Sequence, residues 1–320
     1  MTGSVRILVT GGSGFIGTHL VKALVNSGFE VLNFDINPPR DSSQDSTWQK
    51  ANLLNLDQVK LVFSEFQPKY IFNLAAETDI SKPKDQFAVN TIGLSNILDA
   101  ADAVGIAPHL VHASTQLVMA PGHTPANERD LAPYSEYGET KAESEAILWR
   151  YTGRTSWTVI RPTTIWGAWH STFPKTIWKY IERRWYMMPT GIDPIRSYGY
   201  VGNIIDQMMS IISTKANLNG KALFVGDEPM RSSEWLDGFS EALTGKRIRR
   251  VPGSLLHGLA ELGEFSGRLG GPSPINRGRL FRMSSDYPVP MDETFRLLGR
   301  GSTKLGAGIE ATVNWIRAQA

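Results

Sequence analysis

The chain has 320 residues, 41% of them hydrophobic and 20% charged, a composition typical of globular proteins and unlike that of disordered chains. Because 33 Lys and Arg residues nearly balance 31 Asp and Glu residues, the net charge of +2 argues against nucleic acid as the main partner. The lack of cysteine in the sequence excludes disulfides, thiol nucleophiles and Cys-based zinc sites.

Neither a membrane segment nor a metal site is predicted. No apolar run reaches the ~18 residues of a membrane span, and the N-terminus lacks the pattern of a secretory signal. The six His residues show no metal-ligand spacing such as HExxH. We therefore expect a cytoplasmic protein that binds no metal and no membrane.

Alternating strand and helix patterns fill the first half of the chain. The predicted strands cover residues 5–10, 30–34, 70–75, 109–114 and 157–161, and the predicted helices cover 15–26, 57–66, 85–104 and 135–151. This alternation predicts an α/β fold in which a doubly wound parallel sheet carries helices on both faces.

The alternation loosens after Pro162, where aromatic, proline and glycine residues cluster. We predict a first domain over residues 1–165, to which segments at about 196–227 return. A smaller, interleaved region over residues 166–320 is expected to shape a pocket.

A glycine-rich loop, Gly11-Gly-Ser-Gly-Phe-Ile-Gly17, follows the first predicted strand and opens the first helix. Glycines at this spacing allow a tight turn, the close approach of a pyrophosphate, and close packing of helix on strand. The helix N-terminus adds free N–H groups and the positive end of its dipole. Asp35, at the tip of the second strand, can accept hydrogen bonds from adenosine ribose hydroxyls, and its charge repels a 2′-phosphate. The site is therefore expected to favour NAD over NADP, although Arg40 nearby is suited to a 2′-phosphate.

Tyr137 and Lys141 stand at i and i+4 of a predicted helix and so share one face. A phenol ionises near pH ~10. A Lys cation and a positively charged nicotinamide ring would both lower that pKa. The pair therefore predicts an acid/base for a hydroxyl group that is being oxidised.

Together these motifs resemble the extended short-chain dehydrogenase/reductase superfamily, and within it the NAD-dependent epimerase/dehydratase family. Further matching pieces are Asn73-Leu-Ala-Ala76, residues 90–98, His112-Ala-Ser-Thr115, Arg161-Pro162 and the tail over residues 297–315. The resemblance covers nearly the whole chain and implies a Rossmann fold with bound NAD, while it says less about the substrate.

The resemblance also implies roles for individual residues. The catalytic residues are Tyr137 as acid/base, Lys141 as the residue that lowers its pKa, and Thr115, with Ser114 as the alternative at the third position. The cofactor-binding residues are Gly11, Gly14, Phe15, Ile16, Gly17, Asp35, Asn52, Leu53, Leu74, Ala75, Ala76, Asn90, Tyr137, Lys141, Pro162 and Thr163. For Asn90 a purely structural role is an equal alternative. The substrate-binding residues are Ser114, Thr115, Gln116, Tyr137, Thr164, Arg196 and Arg282, the two arginines being suited to a diphosphate.

One departure from the family pattern narrows the reaction. Sugar 4,6-dehydratases of the family have acidic residues directly after the catalytic Thr, where this chain has Gln116 and Leu117. Elimination of water needs an acid and a base at these positions, so dehydration is disfavoured.

Three hypotheses for the function follow. The first is a NAD-dependent epimerase of a nucleotide-diphosphate sugar, acting through a transient 4-keto intermediate. The second is a dehydrogenase or reductase of a non-nucleotide alcohol or ketone, similar to hydroxysteroid and flavonoid reductases. The third is a cofactor-sensing regulator, which would not need Thr115, Tyr137 and Lys141 together. The resemblance further implies a homodimer that pairs helices 85–104 and 135–151 of each subunit.

Overall fold

The computed structural model of the chain describes residues 4–79, 82–123, 125–268 and 275–319. Its strands are β1 (Arg6–Thr10), β2 (Glu30–Asp35), β3 (Trp48–Lys50), β4 (Tyr70–Asn73), β5 (His109–Ala113), β6 (Ser156–Pro162), β7 (Thr164–Trp166), β8 (Met187–Pro189), β9 (Ile195–Arg196), β10 (Tyr198–Tyr200), β11 (Lys221–Val225), β12 (Met230–Arg231) and β13 (Arg249–Val251). Its helices are α1 (Phe15–Asn26), α2 (Leu56–Phe66), α3 (Ala88–Val104), α4 (Glu136–Arg150), α5 (Ile177–Glu182), α6 (Val201–Ser213), α7 (Ser232–Thr244), α8 (Gly253–Arg268), α9 (Arg277–Ser284), α10 (Asp292–Leu298) and α11 (Leu305–Ala318).

The chain divides into two compact units, of which the first comprises Met1–Ile165, Val201–Asp227 and Pro290–Ser302. The second comprises Trp166–Tyr200, Glu228–Val289 and Thr303–Ala320. The return over Pro290–Ser302 brings α10 against α6 and β11 and is not predicted from the sequence. The division of cofactor and substrate binding between the units remains a prediction.

The first unit contains a seven-stranded sheet in the order β11-β6-β5-β4-β1-β2-β3. Every neighbouring pair of these strands is parallel, which confirms the predicted doubly wound α/β fold. The strand order reverses between β1 and β4, where Thr10 pairs with Asn73. In such sheets a crevice opens at this point, beyond the carboxyl ends of the strands, and ligands bind there.

Apolar runs on the central strands form the core of the first unit. Leu8, Ile71, Leu110 and Val159, one from each of four strands, are buried in a cluster that α2 and α3 help to close. Such runs need no polar alternation because helices cover both faces of a parallel sheet. The predicted helix over residues 85–104 becomes α-helical only at Ala88, since a 3₁₀ turn precedes it.

The second unit is built around aromatic side chains. Trp166, Trp178, Trp235 and Phe239 are buried in one cluster, with ring centroids of neighbouring pairs 5.0 to 6.3 Å apart. Trp178 stacks on Phe239, and Trp166 meets Trp235 and Phe239 edge to face, geometries that aromatic quadrupoles favour. Within the part of the chain that the structure describes, no helix is long and apolar enough to cross a membrane, and no group of acidic or His side chains is arranged to hold a metal ion.

Candidate active site

The glycine loop between β1 and α1 is shaped by two close backbone contacts. Gly11 has a φ of +69°, which favours glycine, and its carbonyl oxygen accepts a hydrogen bond of 3.0 Å from the N–H of Gly14. A Cβ on Gly17 would lie 2.3 Å from the same oxygen, so helix and loop meet closely only because no side chain intervenes. These are the roles that the sequence predicts for Gly11 and Gly17.

The start of α1 fits a pyrophosphate. Gly14 is the N-cap and makes no side-chain cap, so Phe15 and Ile16 begin the helix with a first turn that no N-cap side chain closes. The N–H groups and the positive end of the helix dipole at such a terminus attract a phosphate. Gly14 also has no side chain to block that approach.

Asp35 ends β2 beside the glycine loop. Its carboxylate accepts hydrogen bonds of 3.1 Å from the N–H of Ser13 and 2.9 Å from the N–H of Asn37. The guanidinium of Arg40 donates a hydrogen bond of 3.0 Å to the carbonyl oxygen of Ser13. Asp35 and Arg40 are therefore both held next to the loop, as expected for residues that choose between NAD and NADP.

Thr115, Tyr137 and Lys141 are brought together at the carboxyl end of β5. Thr115 follows this strand by two residues, and its side chain is hydrogen-bonded to the Tyr137 hydroxyl. The Lys141 ammonium, one helical turn further along α4, donates a hydrogen bond of 2.7 Å to the carbonyl oxygen of Ala113. Ser135 caps α4, accepting a hydrogen bond from the N–H of Gly138, and thereby fixes where the helix begins.

Burial dominates the electrostatics of this group. It raises the pKa of the Tyr137 hydroxyl above its ordinary value, while the hydrogen bond with Thr115 acts in the opposite direction. Lys141 is expected from the sequence to lower this pKa, but the loss of solvation on burial is the larger effect. The same burial lowers the pKa of Lys141 to about 7, although the nearby Glu145 carboxylate opposes the shift.

Two buried hydroxyls at the same edge of the sheet fit the nicotinamide end of a dinucleotide. The Ser114 and Thr163 hydroxyl oxygens have no hydrogen-bond partner among the described residues. Ser114 and Thr163 directly follow the neighbouring strands β5 and β6, the latter ending at Pro162. An unpaired buried hydroxyl is costly, so the pair is suited to donate to or accept from a bound polar group such as a carboxamide.

The other predicted cofactor residues surround the same crevice. Ala75, between Leu74 and Ala76, follows β4, and its N–H lies 2.6 Å from where a Cβ of Gly11 would stand. Leu53 is buried against Gly93 of α3, and Asn52 precedes it on the surface.

Asn90 links the loop after β4 to α4. Its amide donates hydrogen bonds of 3.2 Å to the Glu77 carbonyl oxygen and to the Thr140 hydroxyl, and it accepts one of 3.1 Å from the Glu77 N–H. Through these contacts Asn90 supports the loop after β4 and the start of α4.

Two of the predicted substrate residues contact each other near Thr115. The amide of Gln116 donates a hydrogen bond of 2.8 Å to the Thr164 hydroxyl. Gln116 is buried and stands where dehydratases carry an acid, so an amide that cannot give up a proton takes that place.

The two predicted diphosphate arginines lie together in the second unit. The Arg196 guanidinium donates to the main-chain carbonyl oxygens of Arg282 and Ser285 and stands 5.6 Å from the Tyr287 ring centroid. The Arg282 side chain is exposed. Arg196 is thus held by the end of α9, and Arg282 is the more accessible of the two cations.

Sequence reasoning assigned no role to a buried polar cluster beneath this site, formed by Thr10, Asn73, His112 and Ser144. These four residues come from three strands and one helix, so no local spacing could connect them. The only signal was the excess of polar residue types on otherwise apolar strands.

Comparison with known proteins identifies the family of the chain. The family model of the NAD dependent epimerase/dehydratase family matches residues 7–226. An uncharacterized protein of Sinorhizobium fredii is 29% identical over 258 residues, covering 77% of this chain and 62% of that protein. A 3-beta-hydroxysteroid dehydrogenase of Mycolicibacterium neoaurum is 28% identical over 273 residues, covering 79% of this chain and 74% of that protein.

Among solved structures, the fold is similar to that of the UDP-glucuronic acid 4-epimerase of Bacillus cereus in complex with UDP-glucuronic acid and NAD. The TM-score is 0.74 at 20% identity, covering 99% of this chain and 100% of that chain. At this identity the likeness shows the fold alone.

A parallel sheet of this order, with its glycine loop and a Thr–Tyr–Lys group at the carboxyl edge, defines a protein of the extended short-chain dehydrogenase/reductase class. The chain belongs to the NAD-dependent epimerase/dehydratase family, and NAD is its cofactor. The family resemblance that the sequence motifs indicate is thereby confirmed.

Proposed function

We propose that the protein is a NAD-dependent epimerase of a nucleotide-diphosphate sugar that acts through a transient 4-keto intermediate. The observation that carries the proposal is the buried group of Thr115, Tyr137 and Lys141 at the edge of the sheet that also carries the glycine loop. A phenol that is hydrogen-bonded to a hydroxyl, with an ammonium group one helical turn away, can move a proton to and from a substrate alcohol without a metal ion or a thiol.

In the proposed mechanism Tyr137 accepts the proton of the sugar 4-hydroxyl and later gives it back. Bound NAD supplies the hydride acceptor, and its positive ring helps to lower the pKa of Tyr137. Thr115, hydrogen-bonded to the phenol, orients it and stabilises the phenolate. Lys141 places its ammonium group at the end of β5, where it stabilises negative charge on Tyr137.

Gln116 supports epimerisation over dehydration. Loss of water from the sugar needs an acid and a base beside the catalytic Thr. Here the Gln116 amide donates its hydrogen bond to Thr164, and the following residue is the apolar Leu117. The 4-keto sugar is therefore expected to be reduced again and not dehydrated.

The proposed substrate class rests on two arginines that could bind the diphosphate of a substrate, separately from the site of the NAD pyrophosphate. Arg282 is exposed beside Arg196, and guanidinium groups bind diphosphates through paired hydrogen bonds. The Bacillus cereus neighbour is a UDP-glucuronic acid 4-epimerase, which supports a sugar nucleotide as the substrate. We also propose a cytoplasmic homodimer in which α3 and α4 pair with those of a second copy, as the family resemblance implies.

A second candidate is a dehydrogenase of a non-nucleotide alcohol. It is favoured by the 3-beta-hydroxysteroid dehydrogenase relative at 28% identity. It is also favoured by Leu255, Leu262 and Phe265 on α8, apolar side chains that are about half to two thirds exposed. Such an enzyme would use the same Tyr137 chemistry but release NADH.

One incubation separates the two candidates. Purified protein is mixed with UDP-hexoses and GDP-hexoses without added NAD, and the products are separated while NADH absorbance is followed. Isomer formation at constant absorbance is the result expected of an epimerase that retains its cofactor. NADH formed in proportion to substrate would show a dehydrogenase and refute the proposal.

A further inference from the structure

A chain of hydrogen bonds between buried side chains runs beneath the active site, from β1 to α4. The Thr10 hydroxyl donates to the Asn73 amide oxygen over 2.7 Å. The Asn73 amide nitrogen and His112 Nδ1 are 3.0 Å apart, and His112 Nε2 lies 2.9 Å from the Ser144 hydroxyl. That hydroxyl donates over 2.7 Å to the main-chain carbonyl oxygen of Lys141. All five residues are at most 2% exposed, so the chain has no access to water.

The order of donors and acceptors defines the state of His112. Because the Asn73 amide oxygen accepts from Thr10, its NH₂ group faces the imidazole, and Nδ1 must be the acceptor. Because the Ser144 hydroxyl gives its proton to the Lys141 carbonyl oxygen, it accepts from Nε2, which must carry the hydrogen. His112 is therefore neutral, with its proton on Nε2.

Two successive residues of β5 hold both ends of Lys141. His112 reaches the Lys141 main chain through Ser144, and the carbonyl oxygen of Ala113 accepts from the Lys141 ammonium over 2.7 Å. Moving either attachment would shift the ammonium relative to Tyr137, which lies one turn earlier on the same helix. A displacement of ~1 Å can cost on the order of 100-fold in rate.

We propose that His112 is a positioning residue for the reaction proposed above. As the neutral imidazole at the centre of the hydrogen-bond chain, it holds the turn of α4 that carries Lys141 in place. The inference rests on the proposed function only because the proposed reaction uses Lys141. The hydrogen bonds from Thr10 to Lys141 do not depend on which substrate is bound.

The surroundings of His112 favour the neutral form. Burial, and after it the positive charge of Lys141 from α4, hold the pKa of His112 well below its ordinary value. On the other sides the ring faces the uncharged side chains of Asn73 and Ser144. A second proton on the ring would also point at the Asn73 NH₂ group and break the chain.

Variants at His112 and Ser144 test the positioning role. His112→Phe keeps the ring but removes both hydrogen bonds, Ser144→Ala removes the next link, and His112→Gln retains an amide donor and acceptor. We expect kcat to fall about 10- to 100-fold in the first two variants, with KM and NAD affinity nearly unchanged, and to recover substantially in His112→Gln. Ser144→Ala keeps a good helix former and serves if His112→Phe does not fold.

His109 is the matched control. It lies on the same strand, and its ring nitrogens contact Ser156 over 2.8 Å and Thr158 over 3.0 Å, away from α4. His109→Phe should lower stability without lowering kcat. The proposal is overturned if His109→Phe and His112→Phe lose kcat equally, or if Ser144→Ala retains wild-type kcat.

A spectroscopic measurement tests the hydrogen-bond chain through His112 even if the protein turns over no sugar nucleotide. In protein with ¹⁵N-labelled histidine, His112 is identified as the signal lost in His112→Gln. We expect its nitrogen shifts to report the Nε2–H tautomer and to stay constant from about pH 5.5 to 8.5. A titration midpoint near the ordinary value, or a proton on Nδ1, would contradict the assignment.

Discussion

The ammonium group of Lys141 donates its hydrogen bond to the carbonyl oxygen of Ala113, the last residue of β5, over 2.7 Å. Thr115 follows Ala113 by two residues, and Tyr137 precedes Lys141 by one helical turn. The bond therefore joins the strand and the helix that carry the candidate catalytic residues. It also holds the Lys141 amine where solvent does not reach, and this burial lowers its pKa to about 7.

Replacing Tyr137 with Phe is expected to reduce turnover about 10²- to 10⁴-fold, because the group that exchanges the proton is removed. The affinity for NAD, followed by cofactor fluorescence, should be unchanged, since the phenyl ring still fills its place. Tyr151→Phe is the matched control: this hydroxyl, just past the end of the same helix, donates to Asp102 over 2.9 Å, and its loss should not affect turnover. Retained activity in Tyr137→Phe would refute the acid/base assignment.

Replacing Lys141 with Met should change how stability depends on pH. The folded protein has a Lys141 pKa of about 7, below the ordinary 10.5, so the unfolded chain binds more protons between these values. The titration of Lys141 therefore makes the wild type more stable as pH rises from about 7 toward 10. Below about 7 Lys141 is charged in the folded and the unfolded chain, and the cost of burying its charge then destabilises the fold by the full amount.

The stability difference between Lys141→Met and the wild type should accordingly shrink as pH rises from about 7 to about 9, measured by urea denaturation. Lys84→Met is the control, since the side chain of Lys84 is half exposed. The difference in unfolding free energy between Lys84→Met and the wild type should stay constant over this pH range. An equal slope for Lys141→Met and the wild type would show that Lys141 is not held in a desolvated site.

Thr115 and Ser114 can be distinguished by a pair of alanine variants. Thr115→Ala removes the hydrogen bond to Tyr137, and losing a bond to a charged group costs about 1.5–3 kcal/mol, or roughly 10- to 150-fold in kcat. Thr115→Ser keeps a hydroxyl and should therefore retain most of the wild-type kcat. Ser114→Ala removes a hydroxyl that has no partner among the described residues, so a smaller effect is expected. If Ser114→Ala lost more kcat than Thr115→Ala, Ser114 and not Thr115 would be the third catalytic residue.

The glycine loop can be tested at Gly17. A Cβ there would stand 2.3 Å from the Gly11 carbonyl oxygen, so Gly17→Ala must push α1 away from the loop. We expect NAD affinity to fall by at least about tenfold, measured by calorimetry. Gly258→Ala on α8 is the control, because an added Cβ meets nothing within 4 Å, and it should leave NAD affinity unchanged.

The first unit was predictable from the sequence because its signals are local. Helix α1 has the predicted bounds, since a glycine loop, an apolar face and Gly28 mark its start and end. The spacing of Tyr137 and Lys141 was sufficient to place both on one helix face. β3 was missed because three residues, two of them exposed, carry no alternation.

What the sequence could not reveal depends on burial and on contacts between distant segments. The raised pKa of Tyr137 follows from its enclosure by the folded chain, which no spacing predicts. The sequence gives no partner for His112, because the fold alone brings Asn73 and Ser144 to its two nitrogens. The position of Arg196 against the end of α9 likewise joins segments 86 residues apart.

The central claim is that a hydride leaves the sugar C4 and returns to the same carbon while Tyr137 exchanges the proton. It is tested most directly with a nucleotide sugar carrying deuterium at C4, with mass and NMR analysis of the product. The account predicts the epimer with deuterium retained at C4 and no accumulated reduced cofactor. Deuterium lost to solvent, or a ketone formed together with an equal amount of deuterated NADH, would contradict it.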